Sequence, residues 1–318
     1  MKLRLILIAG VCVCAIAASL QAQEAAEAKT APTTRPAVPA GKPTALASVG
    51  KAQIMSNQVD ATLAALPPGI PEEQLSSLRQ DVLSRLIIGE LIHAYVEAKN
   101  VPCDEKPLKE LEGKLEAAAK EEKLSPAEFM AKVGVTKEKL RDKVRVDKLV
   151  EQTTGEKQVA DFMKGNPSFF NGTKVQASHI LIACKPTAPT AEQKAAVAKI
   201  EKIAGEIKAS KITFEKAAEQ HSVCPSGKAK GGDLGEFTFD SMVPPFAMAA
   251  FGMKVGETSG VVRTQFGFHL IKVTGRTEGK EQPGTTAQDL ARAALMSGVE
   301  NAMFDQALTT CPIVINEQ

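Results

Sequence analysis

The sequence predicts an α+β fold in which a sheet-bearing module interrupts a mainly helical chain. Three observations predict it. Apolar residues recur at spacings of three and four between Glu72 and Lys164. That period gives way to strand-like patterns at Lys174–Ala183, Val261–Thr264 and His269–Thr274. Helical patterning then returns from about Ala287 to Leu308, before a short strand at Ile313–Ile315. A change of hydrophobic period from 3.6 to 2 and back marks a change of architecture along the chain.

The 318 residues suffice for two domains and a leader. Hydrophobic residues make up 44% and charged residues 24%, ordinary for a globular protein, while Trp is absent and aromatics reach only 4%. Helix packing therefore rests on Leu, Ile, Val and Ala. Residues 1–22 read as a secretory signal peptide, with Lys2 and Arg4 at a positive start, an apolar Leu5–Ala18 and small residues near Ala22. The apolar run is short for a bilayer, and an uncleaved anchor is the alternative. Neither Cys12 nor Cys14 directly follows Gly or Ala, which argues against a lipoprotein cleavage box. Cleavage would remove Lys2 and Arg4 from 39 basic residues, leaving 37 against 37 acidic ones. That balance gives no case for nucleic-acid binding. Export implies an oxidising compartment, yet the four remaining cysteines (Cys103, Cys184, Cys224, Cys311) are too few for a disulfide scaffold. A Cys103–Cys311 bridge and two unpaired buried thiols both fit the sequence.

Residues 23–46 are rich in Ala, Pro, Thr and Lys and read as a disordered linker. Ala47 to about Val59 suggests a short strand or hairpin and then a helix. Pro67, Pro68, Gly69 and Pro71 break the chain. Leu75, Leu78, Val82 and Leu86 place one buried face on a long helix over Glu72–Lys99, which Asn100 and Pro102 end. Leu108, Leu111 and Leu115 mark the next helix. Ser125-Pro126-Ala127-Glu128 is a capping box with Pro at the first helical position. Helices follow at about Thr136–Val150 and Glu156–Lys164. Beyond the strand at Lys174–Ala183, Thr190-Ala191-Glu192-Gln193 reads as a second capping box. It opens a helix with Val197, Ile200, Ile203 and Ile207 on one face. A shorter helix carries Phe214, Ala217, Ala218 and His221. The formal sequon Asn171-Gly172-Thr173 matters only in a glycosylating host.

The chemistry concentrates between His221 and Lys272, HSVCPSGKAKGGDLGEFTFDSMVPPFAMAAFGMKVGETSGVVRTQFGFHLIK, with VQASHILIAC (Val175–Cys184) upstream. In these motifs the chain resembles the parvulins, peptidyl-prolyl cis/trans isomerases. The order of elements resembles the exported SurA-like and PrsA-like foldases, strongly over Val175–Thr274 and in pattern only over Ala47–Lys174 and Ala287–Asn316. The resemblance implies a parvulin domain at 174–276, a four-stranded antiparallel sheet flanked by helices. It would be inserted into a mainly helical SurA-N-like chaperone domain at 47–173. After a linker at 277–286, residues 287–318 would supply a helix and strand that pack on the N-terminal domain.

By the same resemblance, Leu234, Met242 and Phe246 form the proline pocket, Cys224 is the active-site cysteine, and His179 and His269 are paired histidines on adjacent strands. The histidines would bond each other and a nearby hydroxyl, Thr264. Cys224 would stand as a polar, partly thiolate group beside the substrate carbonyl. Met242 and Phe246, four apart, would share a face if their segment is helical. Phe251 faces the core. Where many parvulins carry Ser or Thr two residues after Thr264, this chain has Phe266. Rotation about an Xaa-Pro bond breaks no bond, so the resemblance implies neither cofactor nor metal. Partners would be unfolded or nascent exported polypeptides containing Xaa-Pro, with no nucleic acid. The location would be extracytoplasmic, and proximity to a membrane is allowed. The loop Cys184–Pro189 holds one lysine, which argues against selectivity for phosphorylated substrates.

Each of these residues also has a structural reading. Met and Phe are ordinary core, a buried thiol is inert, paired histidines order a core, and His221 and His93 pack at helices. Gly231, Gly232 and Gly235 lack the partners of a phosphate loop and read as turn glycines. Competing functions are a non-catalytic holdase with an idle parvulin module, a cysteine hydrolase built on Cys224 with His269 or His221, and a zinc site. No oxyanion hole or orienting Asn/Asp marks a hydrolase, and no second paired motif marks zinc.

Overall fold

The computed structural model describes residues 42–64 and 70–316, so the signal peptide and most of the 23–46 linker lie outside the described residues. The chain divides into two compact units, one reaching Leu149 and taking up residues from Cys311 onward, the other Val150–Thr310.

The first unit begins with strands β1 (Ala45–Val49) and β2 (Ala52–Met55), joined at Gly50. With β7 (Ile313–Ile315) they form an antiparallel sheet of order β2-β1-β7. The linker therefore ends earlier than the sequence suggests. Leu46 is buried against Val59, Leu63 and Val82, which gives the strand an apolar anchor. Among the described residues five helices follow: α1 (Ser56–Ala64), α2 (Glu72–Ala98), α3 (Glu105–Glu121), α4 (Pro126–Lys132) and α5 (Lys137–Thr154), the last turn of which, from Val150, is counted with the second unit. Both halves of the Ser125–Glu128 capping box form at the start of α4. Between α2 and α5, His93 Nδ1 meets Asp142 Oδ2 at 2.9 Å, so His93 serves as a helix tie. Cys103 and Cys311 are both thiols, and no bridge joins them. The Cys311 sulfur lies instead against the β1–β2 turn, 3.0 Å from where a Gly50 Cβ would stand.

The second unit comprises α6 (Glu156–Gly165), a 3-10 turn (Pro167–Phe169), β3 (Lys174–Ala183), α7 (Thr190–Lys208), α8 (Phe214–His221), α9 (Pro225–Lys230), β4 (Asp233–Phe237), a 3-10 turn (Phe239–Ser241), α10 (Pro244–Gly252), β5 (Val262–Thr264), β6 (Gly267–Thr277) and α11 (Ala287–Thr309). Its four strands are antiparallel in the order β4-β3-β6-β5. Side chains alternate across a sheet, and each face has its own core. Ile180, Ile182, Phe268 and Leu270 pack under α7 and α8. Val175, Ala177, Ile271 and Val273 pack under α10.

Two boundaries differ from those the sequence suggests. Phe169 and Phe170 bury themselves beside Phe239 and Phe251, so the α6 segment belongs with the sheet rather than with the N-terminal helices. The C-terminal helix likewise packs in the second unit, and β7 alone joins the first. The reason is a small-residue row: Ala287, Ala291, Ala294 and Ser297 are buried, and the alanines join the cluster containing Ala247 and Ala250 of α10. Small side chains let two helix backbones approach closely. The second predicted capping box also fails. Pro189 precedes α7 without a side-chain cap, and Gln193 is fully buried, donating to the carbonyls of Pro186 and Ala188 and accepting from Arg263.

Candidate active site

His179 and His269 stand on the neighbouring central strands β3 and β6. The register pairs Leu181 with His269 and His179 with Ile271, so the two histidines are diagonal neighbours on the α10 face. Their Nδ1 atoms lie 3.3 Å apart, with ring planes 22° from parallel. On the far side, His269 Nε2 lies 2.8 Å from Thr264 Oγ1 on β5. The Phe266 N–H donates to the same Thr264 oxygen at 3.1 Å. The side-chain hydroxyl absent at position 266 is thus replaced by a backbone donor.

This chain of atoms fixes a direction for the protons. The Thr264 oxygen can accept twice, so the count of satisfied groups sets the order: with the Thr264 proton on the bond to His269 Nε2, no hydroxyl proton is left unpaired. His269 then carries hydrogen on Nδ1 and donates to His179 Nδ1, and His179 carries hydrogen on Nε2. Any other assignment leaves more groups unsatisfied. His179 Nε2 is buried without a hydrogen-bond partner among the protein atoms, and an unmet buried donor costs about 1–3 kcal/mol. Burial lowers the His179 pKa to about 4. Burial, and then the neighbouring His179, lowers that of His269 to about 3. Both imidazoles are neutral at pH 7.

Phe246, on the first turn of α10, covers the pair. Its ring stands edge-on to His179 at 5.7 Å and to His269 at 5.5 Å. Pro244 and Pro245 start this helix, their missing N–H groups being unneeded in the first turn. Met242 is therefore not on the helix: it is extended, with φ −121° and ψ 159°. It still packs, half-buried, against the cluster that contains Phe246, as does Leu234 from β4. Phe251 is buried in the same cluster.

Gly232 sets the approach of β4. Its carbonyl accepts from the His179 N–H at 2.9 Å, its φ is +87°, and a Cβ there would lie 2.5 Å from the His179 carbonyl oxygen. Gly231 and Gly235 also have positive φ, so all three shape the turn and rim.

Cys224 is half-buried between α8 and α9. Where β4 stops, the segment Ser222–Cys224 takes over the edge of β3. The Leu181 N–H donates to Ser222 Oγ at 3.1 Å, the Val223 N–H donates to the Leu181 carbonyl at 3.0 Å, and the Cys224 N–H donates to Ser222 Oγ at 3.3 Å. Ser222, itself buried, is a positioning residue that the sequence reading missed. Its only signal was a hydroxyl two residues before the cysteine. His221 is half-buried in the last turn of α8. Both ring nitrogens of His269 are engaged, which removes it as a base for Cys224. Among the described residues no three His, Cys, Asp or Glu side chains converge as a metal site. Among the same residues no helix is long and apolar enough to cross a membrane.

An antiparallel β4-β3-β6-β5 sheet with paired neutral histidines packed under Phe246 defines a parvulin-type module. Residues 179–275 match the rotamase family described as the PPIC-type PPIASE domain. Among curated relatives, the foldase protein PrsA of Caldanaerobacter subterraneus is 32% identical over 64% of this chain and 59% of its own length. Foldase protein PrsA 1 of Bacillus cereus is 32% identical over 50% of this chain and 51% of its own. Foldase protein PrsA of Geobacillus sp. is 31% identical over 66% and 70%. The chain belongs to the PrsA foldase family. It spans between half and three fifths of the length of the first two of these relatives.

Proposed function

We propose that this protein is a peptidyl-prolyl cis/trans isomerase and folding chaperone for exported polypeptides. The barrier to rotation about a peptide bond is about 18–20 kcal/mol. For Xaa-Pro, uncatalysed exchange takes tens to hundreds of seconds. The planar amide separates charge through conjugation, and the twisted amide does not. A dry site that grips the proline ring therefore favours the twisted form over the planar one.

One observation carries this reading. A buried, uncharged Thr264–His269–His179 chain lies beneath Phe246, in a cluster against which Met242 and Leu234 pack half-buried. Neutral histidines keep the floor of the proposed proline notch free of a fixed charge that would hold water. Phe246, Met242 and Leu234 receive the proline ring. Cys224, held beside β3 by Ser222, presents its sulfur toward the substrate carbonyl. Thr264, His269 and His179 act as positioning residues that hold the floor in one tautomer. No bond is made or broken, so no cofactor takes part.

The clients would be unfolded chains containing Xaa-Pro, held by the helices of the first unit while the second acts on the proline. The charged-then-apolar start of the sequence supports export, and with it an extracytoplasmic location. The test is exchange spectroscopy on a short Xaa-Pro peptide. The protein should accelerate isomerisation, and Cys224→Ala should slow it by an order of magnitude or more without loss of folding. Unchanged turnover in that variant would remove the thiol from the mechanism.

A further inference from the structure

A second concave surface of the same unit adjoins the site formed by Phe246 and the paired histidines. A groove of about 450 Å³ runs between the outer side of β5, helix α10 and helix α11. Its volume falls within the range of about 300–1,000 Å³ typical of ligand sites. Pro245 and Met248 of α10 and Val262 of β5 line one side, and Gly298, Asn301 and Leu308 of α11 the other. We infer that this groove is a second binding subsite, taking the extended, apolar stretch of client chain that adjoins the isomerised proline. The inference rests on the isomerase reading and adds a substrate class to it.

Three observations carry it. β5 is the last strand of the sheet, with β6 on one side and no strand on the other. An open strand edge offers backbone donors and acceptors to an extended chain. The groove also adjoins the histidine site. Val262 of the groove is the register partner of His269, and Pro245 and Met248 flank Phe246 on one helix. A chain with its proline over the histidines would meet the groove next.

The walls, finally, are built to leave room and to bond a backbone. Gly298 stands mid-way along the 23-residue α11, where only Pro forms helix less well. Its φ is not in the left-handed region, and nothing lies within 4 Å of where a Cβ would be. Neither backbone conformation nor tight packing calls for glycine there. Gly89, Gly113 and Gly205 share that open surrounding, so the freedom alone decides nothing, but at Gly298 the free space is the groove itself. Asn301, beside it, carries both an amide donor and an acceptor, the complement of a peptide group. Arg263, 9% exposed, lies on the groove with its Nε unpartnered, while its other nitrogens bond Gln193 and Asp305. The bond to Asp305 ties β5 to α11 beside the groove.

The test uses the whole chain, a proline tetrapeptide that fills only the notch, and a twelve-residue unfolded peptide with the same Xaa-Pro and apolar flanks. Gly298→Leu projects a side chain into the groove and favours helix. Gly298→Ala is the conservative control. The wild type should turn over the long peptide with kcat/KM at least tenfold above the tetrapeptide, and bind it more tightly by fluorescence anisotropy. Gly298→Leu should lose both advantages while its tetrapeptide turnover stays at the wild-type level, and Gly298→Ala should keep most of them. A Gly298→Leu protein that retains the long-peptide advantage overturns the inference, as does a wild type that shows none. Failure of the wild type on both peptides would strike the isomerase reading itself.

Discussion

At the scale of single residues, the site turns on what burial does to two imidazoles. In the folded protein their pKa values lie near 4 for His179 and near 3 for His269, against about 6.5 in an unfolded chain. Below pH 6.5 the unfolded chain binds protons that the folded one refuses, so stability falls as pH falls, and the loss continues to about pH 3, where His269 too would protonate in the folded protein. Above pH 6.5 the pair contributes no pH dependence. Imidazole chemical shifts should therefore report both rings neutral from pH 8 to pH 5, while the urea midpoint drops between pH 6.5 and 3. Titration of either ring near pH 6.5 would contradict the buried, uncharged floor. The residue types were legible in the sequence through the parvulin-like motifs, and the structure brings His179, His269, Thr264 and Phe246 together. Ser222 was not legible, because its task is to cover a strand edge that exists only once β4 has stopped short of Leu181. Nor was the extended backbone of Met242, which follows from where Pro244 lets the helix begin.

Among the elements, long periodic ones could be read and short ones fixed by distant partners could not. The strand at Lys174–Ala183 and the helix from Glu72 needed only their own pattern. The helix at Thr190 looked capped by its own Gln193, but Arg263, seventy residues away, takes that side chain. β4 is five residues long and contains Gly235 at φ +68°, so neither alternation nor propensity announced it. Its approach to β3 depends on Gly232. Gly232→Ala combines a disfavoured φ of +87° with a Cβ 2.5 Å from a backbone oxygen. Strain of this kind costs on the order of 1–3 kcal/mol. Thermal unfolding should show that loss, with isomerisation falling alongside it. Wild-type stability and rate in this variant would mean that β4 does not set the notch.

Across the whole molecule, the sequence and the resemblance divided the chain at 173 and 174 and sent the last helix to the N-terminal helices. Neither Phe169, Phe170 nor the alanines of α11 reveal their partners by periodicity, since any apolar face would satisfy them. Their burial with Phe246 and Phe251 makes α6 and α11 part of the module's core. A fragment of residues 150–310 should fold cooperatively and isomerise short peptides, whereas residues 174–276 alone should be markedly less stable. With clients held by the helices of the first unit, as proposed, the longer fragment should also fail to suppress client aggregation. An equally stable short fragment would contradict the shared core. The account rests above all on an apolar notch over a neutral floor, and exchange rates on one Xaa-Pro tetrapeptide with wild type and Met242→Ala test it most directly. The wild type should exceed the uncatalysed rate by orders of magnitude, and loss of the half-buried methionine should cut kcat/KM at least tenfold with the fold intact. A wild type no faster than the free peptide, or a variant as fast as the wild type, would contradict it.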